Sequence, residues 1–213
     1  MNSIMNSKDL QRHVDALILA HPIFAEALQI AGEYPPMRQG KSGFAGLVEI
    51  VVSQQISKAA ANSILARFWQ AIDSRNANDP ARAYSELDLE TKRGCGLSRP
   101  KIRYLDGIAE ASLAGALDPE HLAAMESDEL TKALTALPGI GLWSAEIYAL
   151  FVLRRADIFP AGDLALQEAY RRLFKLPERP KEKSLRESVR ALAPYRGAAA
   201  RLLWHYYRGA PVS

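Results

Sequence analysis

Two short stretches of the 213-residue chain hold side chains whose type and spacing could do chemistry. The first, Leu137-Pro138-Gly139-Ile140-Gly141, sets two glycines around one apolar residue, between a predicted helix ending near Ala136 and another beginning near Leu142. Glycines permit a tight turn, and a tight turn ahead of a helix N-terminus leaves backbone N–H groups that can bind a phosphate oxygen. On this reading Gly139, Ile140 and Gly141 hold phosphate, while the side chains of Leu137 and Ile140 point inward and pin the hairpin. A plain helix-to-helix connection is the alternative. The second stretch, Ile158-Phe159-Pro160-Ala161-Gly162-Asp163-Leu164-Ala165-Leu166, presents one carboxylate after a small-residue turn at the mouth of a helix. Asp163 is there either as an ordinary N-cap or as a carboxylate offered for catalysis, and the residue type alone favours the cap.

The elements that must position these residues read as helices. Alanine and leucine supply about 29% of the chain, and the β-branched residues are sparse for a sheet protein. Ser42, Ser57, Asp79-Pro80, Asp118-Pro119 and Ser127 provide helix starts, the last followed by acidic residues that suit the first turn. Helices are predicted near 8–20, 22–31, 43–54, 57–73, 79–86, 98–114, 118–125, 127–136, 142–154, 163–174, 181–192 and 195–208. No alternating apolar–polar run is long enough for a strand, and the short connections include no flexible linker or repeat. The expected fold class is therefore all-α.

Composition narrows the function classes. Apolar residues at 48% and charged residues at 24% describe a globular protein and exclude a disordered or collagen-like one. The single cysteine, Cys95, cannot build a disulfide framework, a four-cysteine zinc site or an iron–sulfur cluster within one chain. His13, His21, His121 and His205 show no ligand spacing, so no divalent metal site is expected. No apolar run reaches the ~20 residues of a membrane span, and the first residues lack a signal-peptide pattern; a cytoplasmic protein without membrane partners is expected. The net charge of +3 hides an asymmetry: from Arg171 to Arg208 eleven basic residues face three acidic ones, giving +8, so residues 1–170 carry −5. Lys92, Arg93, Arg99, Lys101 and Arg103 form a second basic cluster. Solvated helix faces and a polyanionic partner both account for such clusters.

With its flanking helices and Leu-Pro prefix, the hairpin has the helix-hairpin-helix pattern that grips DNA backbone without reading sequence. Together with Asp163, about two dozen residues after Gly141, it resembles the helix-hairpin-helix superfamily of DNA glycosylases, and within it the DNA-3-methyladenine glycosylase II family. The resemblance extends to Val52-Ser53-Gln54-Gln55-Ile56-Ser57, with Ser53 where the family has glycine, to Gly96-Leu97-Ser98-Arg99-Pro100-Lys101, and to Pro194-Tyr195-Arg196 through Trp204. It thus covers most of the chain from about Gly43 to Gly209. Three departures matter. Trp143 stands where endonuclease III-like relatives carry a sugar-attacking lysine, the four-cysteine cluster is missing, and only about forty residues precede Gly43, which implies a compact form without the family's N-terminal sheet domain.

The resemblance implies two helical lobes, residues 43–156 with the hairpin and residues 1–42 plus 157–213 from the chain ends, with the active-site cleft between them. It implies a monofunctional enzyme that flips alkylated purines from damaged double-stranded DNA and hydrolyses the N-glycosidic bond in base-excision repair, acting as a monomer. Asp163 would be catalytic. Trp143, Trp204 and Gln54 would line the base pocket, Gln55 would be the wedge in the vacated stack, and Ser98 and Lys101 would join the hairpin on phosphate. No organic cofactor is implied; by analogy the carbonyls of Thr135, Leu137 and Ile140 would hold a structural monovalent cation. A non-enzymatic helix-hairpin-helix DNA-binding protein, or a glycosylase for another damaged base, remains the alternative.

Overall fold

The computed structural model describes residues 3–75 and 78–209. Over these residues the chain forms α1 (Ser7–Ala20), α2 (Phe24–Ala31), α3 (Gly43–Ser53), α4 (Lys58–Asp73), α5 (Pro80–Ser85), α6 (Leu89–Gly94) and α7 (Arg99–Leu113). It continues with α8 (Pro119–Ala124), α9 (Ser127–Thr135), α10 (Leu142–Phe151), α11 (Leu164–Leu173), α12 (Glu182–Ser188), a 3-10 turn at Val189–Leu192, and α13 (Arg196–Gly209). The fold is all-α as expected, and β-pairing among the described residues amounts to one bridge between Ser3 and Arg155. No helix among these residues is long and apolar enough to cross a membrane.

Side-chain capping marks six of the thirteen α-helix starts among the described residues. Asn6, Ser57, Asp79, Asp88, Asp118 and Asp163 each accept a hydrogen bond from a first-turn N–H, satisfying donors that a helix end leaves orphaned. Sequence periodicity misses α6, a six-residue turn begun when Asp88 accepts from the Thr91 N–H at 2.7 Å. The helix expected over 142–154 ends at Phe151, and Arg154 turns the chain with a left-handed φ of 57°. The segment expected as one helix over 181–192 divides into α12 and the 3-10 turn.

The chain divides into two compact units, Gly40–Tyr148 and Met1–Gln39 with Ala149–Ser213. Each is built around one helix with a long buried run. In Gly40–Tyr148 that helix is α3, with Phe44, Leu47, Val48, Ile50, Val51 and Val52 all buried. Packed around it, α4, α5 and α7 contribute Phe68, Ile72, Tyr84, Leu105 and Ile108, and the Tyr84 ring stacks on Phe68 at 5.6 Å.

In the other unit the central helix is α13, where the consecutive residues Gly197 to Leu203 are buried. It packs on α1, α2 and α11, whose Leu10, Val14, Phe24, Leu166 and Leu173 complete the core. The start of α13 is locked. Gly197 donates its N–H to the Ala156 carbonyl at 2.7 Å, and a Cβ at Gly197 would lie 2.5 Å from that oxygen. Beside it Asp157 takes Arg196 in a bidentate pair, Nε and Nη2 each donating at 2.8 Å. On α11, Arg171 and Arg172 both donate to Glu168, and these guanidiniums bring its carboxyl from the ordinary 4.5 down to about 2.

Two outcomes follow from these contacts. Gly197→Ala should lose about 1–3 kcal/mol of stability by overpacking, read from denaturant unfolding. A carboxyl whose pKa is depressed by folding stabilises above its unfolded value and loses that contribution as pH falls through the folded one. The melting temperature of the native chain should therefore exceed that of Glu168→Gln at neutral pH, with the gap closing between pH 4.5 and about 2.

Candidate active site

The hairpin belongs to the unit Gly40–Tyr148. It closes through Leu137 N–H to the Leu134 carbonyl at 3.1 Å and Ile140 N–H to the Leu137 carbonyl at 3.2 Å. Gly139 is required twice over: its φ is +76°, and a Cβ there would lie 2.4 Å from ring carbons of Tyr104. Next to it Pro138 sits against Gly107, where a Cβ would come within 2.6 Å of the proline Cγ. Tyr104 and Gly107 lie three residues apart on α7 and so share a face. That face is the seat of the hairpin. Sequence reading singled out neither residue, although a glycine inside a predicted helix signals a close approach.

The two ends of the hairpin behave differently. The Ile140 side chain is buried and its N–H is used internally, so it anchors the turn. Gly141 is exposed, and a Cβ there would meet nothing within 4 Å. Gln54, at the end of α3, braces the hairpin by donating its Nε2 to the Gly139 carbonyl at 3.0 Å and to Ser144 Oγ at 3.1 Å. Lys101 in turn holds the end of α3, its Nζ donating to the carbonyls of Val52 at 2.6 Å and Gln54 at 3.0 Å. An ammonium suits the negative end of a helix dipole, and burial pushes the Lys101 pKa down.

Gln55 is exposed with a left-handed φ of 58°. Ser98, exposed at the N-cap position of α7, makes no capping bond with its hydroxyl. Trp143 is half-buried in the first turn of α10. Thr135 directs its hydroxyl back to the Thr131 carbonyl at 2.7 Å.

The candidate carboxylate, Asp163, belongs to the unit Met1–Gln39 with Ala149–Ser213. Asp163 is half-buried, and its Oδ1 accepts from the N–H groups of Ala165 and Leu166, both at 3.0 Å, and from Trp204 Nε1 at 3.1 Å. The cap reading of this residue is met, since it caps α11, and the same oxygen is also tied to an aromatic residue 41 positions away. The preceding turn is held by Asp163 N–H to the Pro160 carbonyl at 2.9 Å and by the buried Gln167, whose Nε2 donates to the Ala161 carbonyl at 2.9 Å. The Trp204 ring packs on Phe151, centroids 5.6 Å apart. Phe151 was not anticipated, since nothing in its sequence surroundings sets it apart from other core aromatics. A carboxylate held in this way keeps one orientation and can direct charge at a centre that becomes positive during a reaction. Among the described residues no group of three His, Cys, Asp or Glu side chains is placed to hold a metal ion.

Comparison with known proteins identifies the family. Residues 48–194 match the HhH-GPD superfamily base excision DNA repair protein family. The chain is 35% identical over 180 residues to DNA-3-methyladenine glycosylase 1 of Schizosaccharomyces pombe, covering 83% of this chain and 78% of that protein. A solved structure of the 3-methyladenine DNA glycosylase of that yeast in complex with abasic DNA superimposes with a TM-score of 0.74 at 34% identity, over 84% of this chain and 88% of the other. The crystal structure of a DNA-3-methyladenine glycosidase from Bacillus halodurans gives a TM-score of 0.78 at 29% identity, over 95% and 90% of the two chains. With its hairpin, its capping aspartate and most of its length inside that match, the chain belongs to the HhH-GPD superfamily of base excision DNA repair proteins.

Proposed function

We propose that the chain is a monofunctional DNA glycosylase that flips alkylated purines of the 3-methyladenine type out of duplex DNA and hydrolyses the N-glycosidic bond, leaving an abasic site. The observation that carries this reading is the Asp163 carboxylate, oriented by three donors on one oxygen, in a chain 35% identical to a DNA-3-methyladenine glycosylase. Breaking the bond between deoxyribose and base builds positive charge on the sugar, as in other glycoside cleavages. The fixed carboxylate stabilises that charge while water adds to C1′, and it accepts the water's proton. The bonding electrons leave with the base. A purine alkylated at N3 or N7 is already cationic and departs neutral, so no separate general acid is needed.

Extruding a base costs a few kcal/mol. Stacking and cation–π attraction at Trp143 and Trp204 offset part of this for a cationic base. Trp143 also occupies the position of the sugar-attacking lysine of other superfamily members, so no amine is offered there for a Schiff base. Gln55, exposed on a left-handed turn, would enter the vacated stack. Its neighbours Gln54 and Lys101 act mainly by positioning, one bracing the hairpin and the other fixing the end of α3.

Backbone phosphate would meet the hairpin at Gly141, the exposed glycine whose missing side chain no neighbour demands. The free-standing hydroxyl of Ser98 adds a second donor for phosphate. The carbonyls of Thr135, Leu137 and Ile140 are neutral donors of the kind that would suit a monovalent cation; bound there, it would add positive charge beside the phosphate. The partner in this reading is damaged duplex DNA, engaged by a monomer.

Purified protein should release 3-methyladenine from methylated DNA and leave the abasic strand intact, with no adduct trapped by borohydride. Asp163→Asn should lower single-turnover release by about 10²–10³-fold while duplex affinity stays within a few-fold. Binding without any release by the native chain would leave only a DNA-binding module, and a trapped adduct would overturn the monofunctional assignment. At the hairpin, Gly141→Val should keep the native melting temperature yet weaken duplex binding about tenfold, whereas Gly139→Ala should lower the melting temperature as well. Unchanged salt-dependent affinity in Gly141→Val would remove this glycine from phosphate contact.

A further inference from the structure

α13 carries a second polar feature beside Trp204, built from charged groups that the proposed reaction does not use. On the unit Met1–Gln39 with Ala149–Ser213, a hollow of about 20 Å³ is lined by Arg38, Arg201, His205 and Arg208, with walls from Pro36, Phe151 and Trp204. Such a volume holds roughly one water-sized group. At its floor Arg201 is only 4% exposed. Its Nη2 donates to the Leu150 carbonyl at 2.8 Å, and its guanidinium lies 4.6 Å from the centre of the Phe151 ring. The other two nitrogens, Nε and Nη1, are buried without a hydrogen-bond partner, and so is His205 Nε2. The exposed Glu33 keeps its Oε1 3.9 Å from that imidazole nitrogen, too far for a hydrogen bond.

The electrostatics point the same way. No carboxylate among the described residues pairs with Arg38, Arg201 or Arg208. Burial lowers the pKa of Arg201 to about 10, with the charge of Arg38 adding to the effect. Burial likewise lowers that of Arg38, together with the charge of Arg208. Buried N–H groups left unmade and like charges left uncompensated both disfavour the folded state, each by more than an ordinary surface mismatch. An anion seated among them would relieve both at once.

We propose that this hollow is a binding site for a phosphate group. One oxygen enters toward Arg201 and His205, and the remaining oxygens stay at the mouth between Arg38 and Arg208. The space takes a single oxygen and no base or sugar, so recognition is of charge and not of sequence. The phosphate comes either from a DNA strand or from free inorganic phosphate. Neither source requires Asp163, although the hollow shares its Trp204 wall with the proposed base pocket.

The test uses the full chain in two arms. In the first, melting temperature is measured in 10–50 mM inorganic phosphate (roughly the range that a millimolar Kd would register) against chloride of equal ionic strength. In the second, the salt dependence of affinity for an undamaged duplex is measured. Arg38→Gln/Arg208→Gln alters the mouth without touching the core, and Arg201→Met tests the floor. A phosphate-specific rise in melting temperature that the mouth variant abolishes assigns the site to free phosphate. A fall of about one unit in the slope of log affinity against log salt, in the mouth variant but not in the exposed control Arg190→Gln, assigns it to a strand phosphate. No phosphate-specific rise together with a native slope in the mouth variant overturns the proposal, as does an equal slope change in the control. Base release assayed on the same variants keeps this outcome separate from that of the glycosylase reading.

Discussion

Three donors on a single carboxylate oxygen are the constraint around which one unit of this protein is organised. Two of them are amides at the start of α11 and cannot move unless the helix does. The third is the indole of Trp204 on α13, so the orientation of Asp163 depends on the register of the most buried helix in its unit. That register is set in turn at the other end of α13, where Gly197 lies against the Ala156 carbonyl and Arg196 grips Asp157. A cap, ordinarily a local device worth about 1 kcal/mol, is here joined to tertiary packing. Its geometry is held by the core and not by the turn alone.

The other unit solves a related problem with backbone instead of a side chain. The hairpin must keep a tight turn exposed enough to meet a ligand, yet it must not wander. α7 supplies a seat in Tyr104 and Gly107, α3 supplies a brace in Gln54, and Lys101 ties the end of α3 to α7. The two hairpin glycines divide the work. Gly139 is dictated by conformation and by the tyrosine ring beneath it. Gly141 is dictated by neither, which leaves access from outside as its physical reason.

What was legible in the sequence was what is local. The hairpin, the capping aspartate and the helix starts at Ser57, Asp79 and Asp118 rest on interactions spanning a few residues, and each was visible as a short pattern. The α6 turn was equally local but too brief for periodicity to register. Contacts across long separations were not legible from the residues alone. Gln54 reaches a carbonyl 85 residues away, and Lys101 reaches two carbonyls 47 and 49 residues back. A lysine and a glutamine near helix ends ordinarily face solvent, so side-chain type gave no sign of these partners. The same holds for Arg201. In sequence it was one of eleven basic residues in a charged segment, and only the fold separates it from those that face water.

The segment from Asp157 to Asp163 is moored to α13 at both ends, by Arg196 and by Trp204. Those anchors are eight residues apart, a rise of about 12 Å along the helix. Six peptide steps span that distance with modest slack, so the strap tolerates exchange of its intermediate side chains far better than any change in their number. Among descendants of this chain, an inserted or deleted residue between the two aspartates should mark a lineage in which the site has been abandoned, whatever happens to the rest of the sequence.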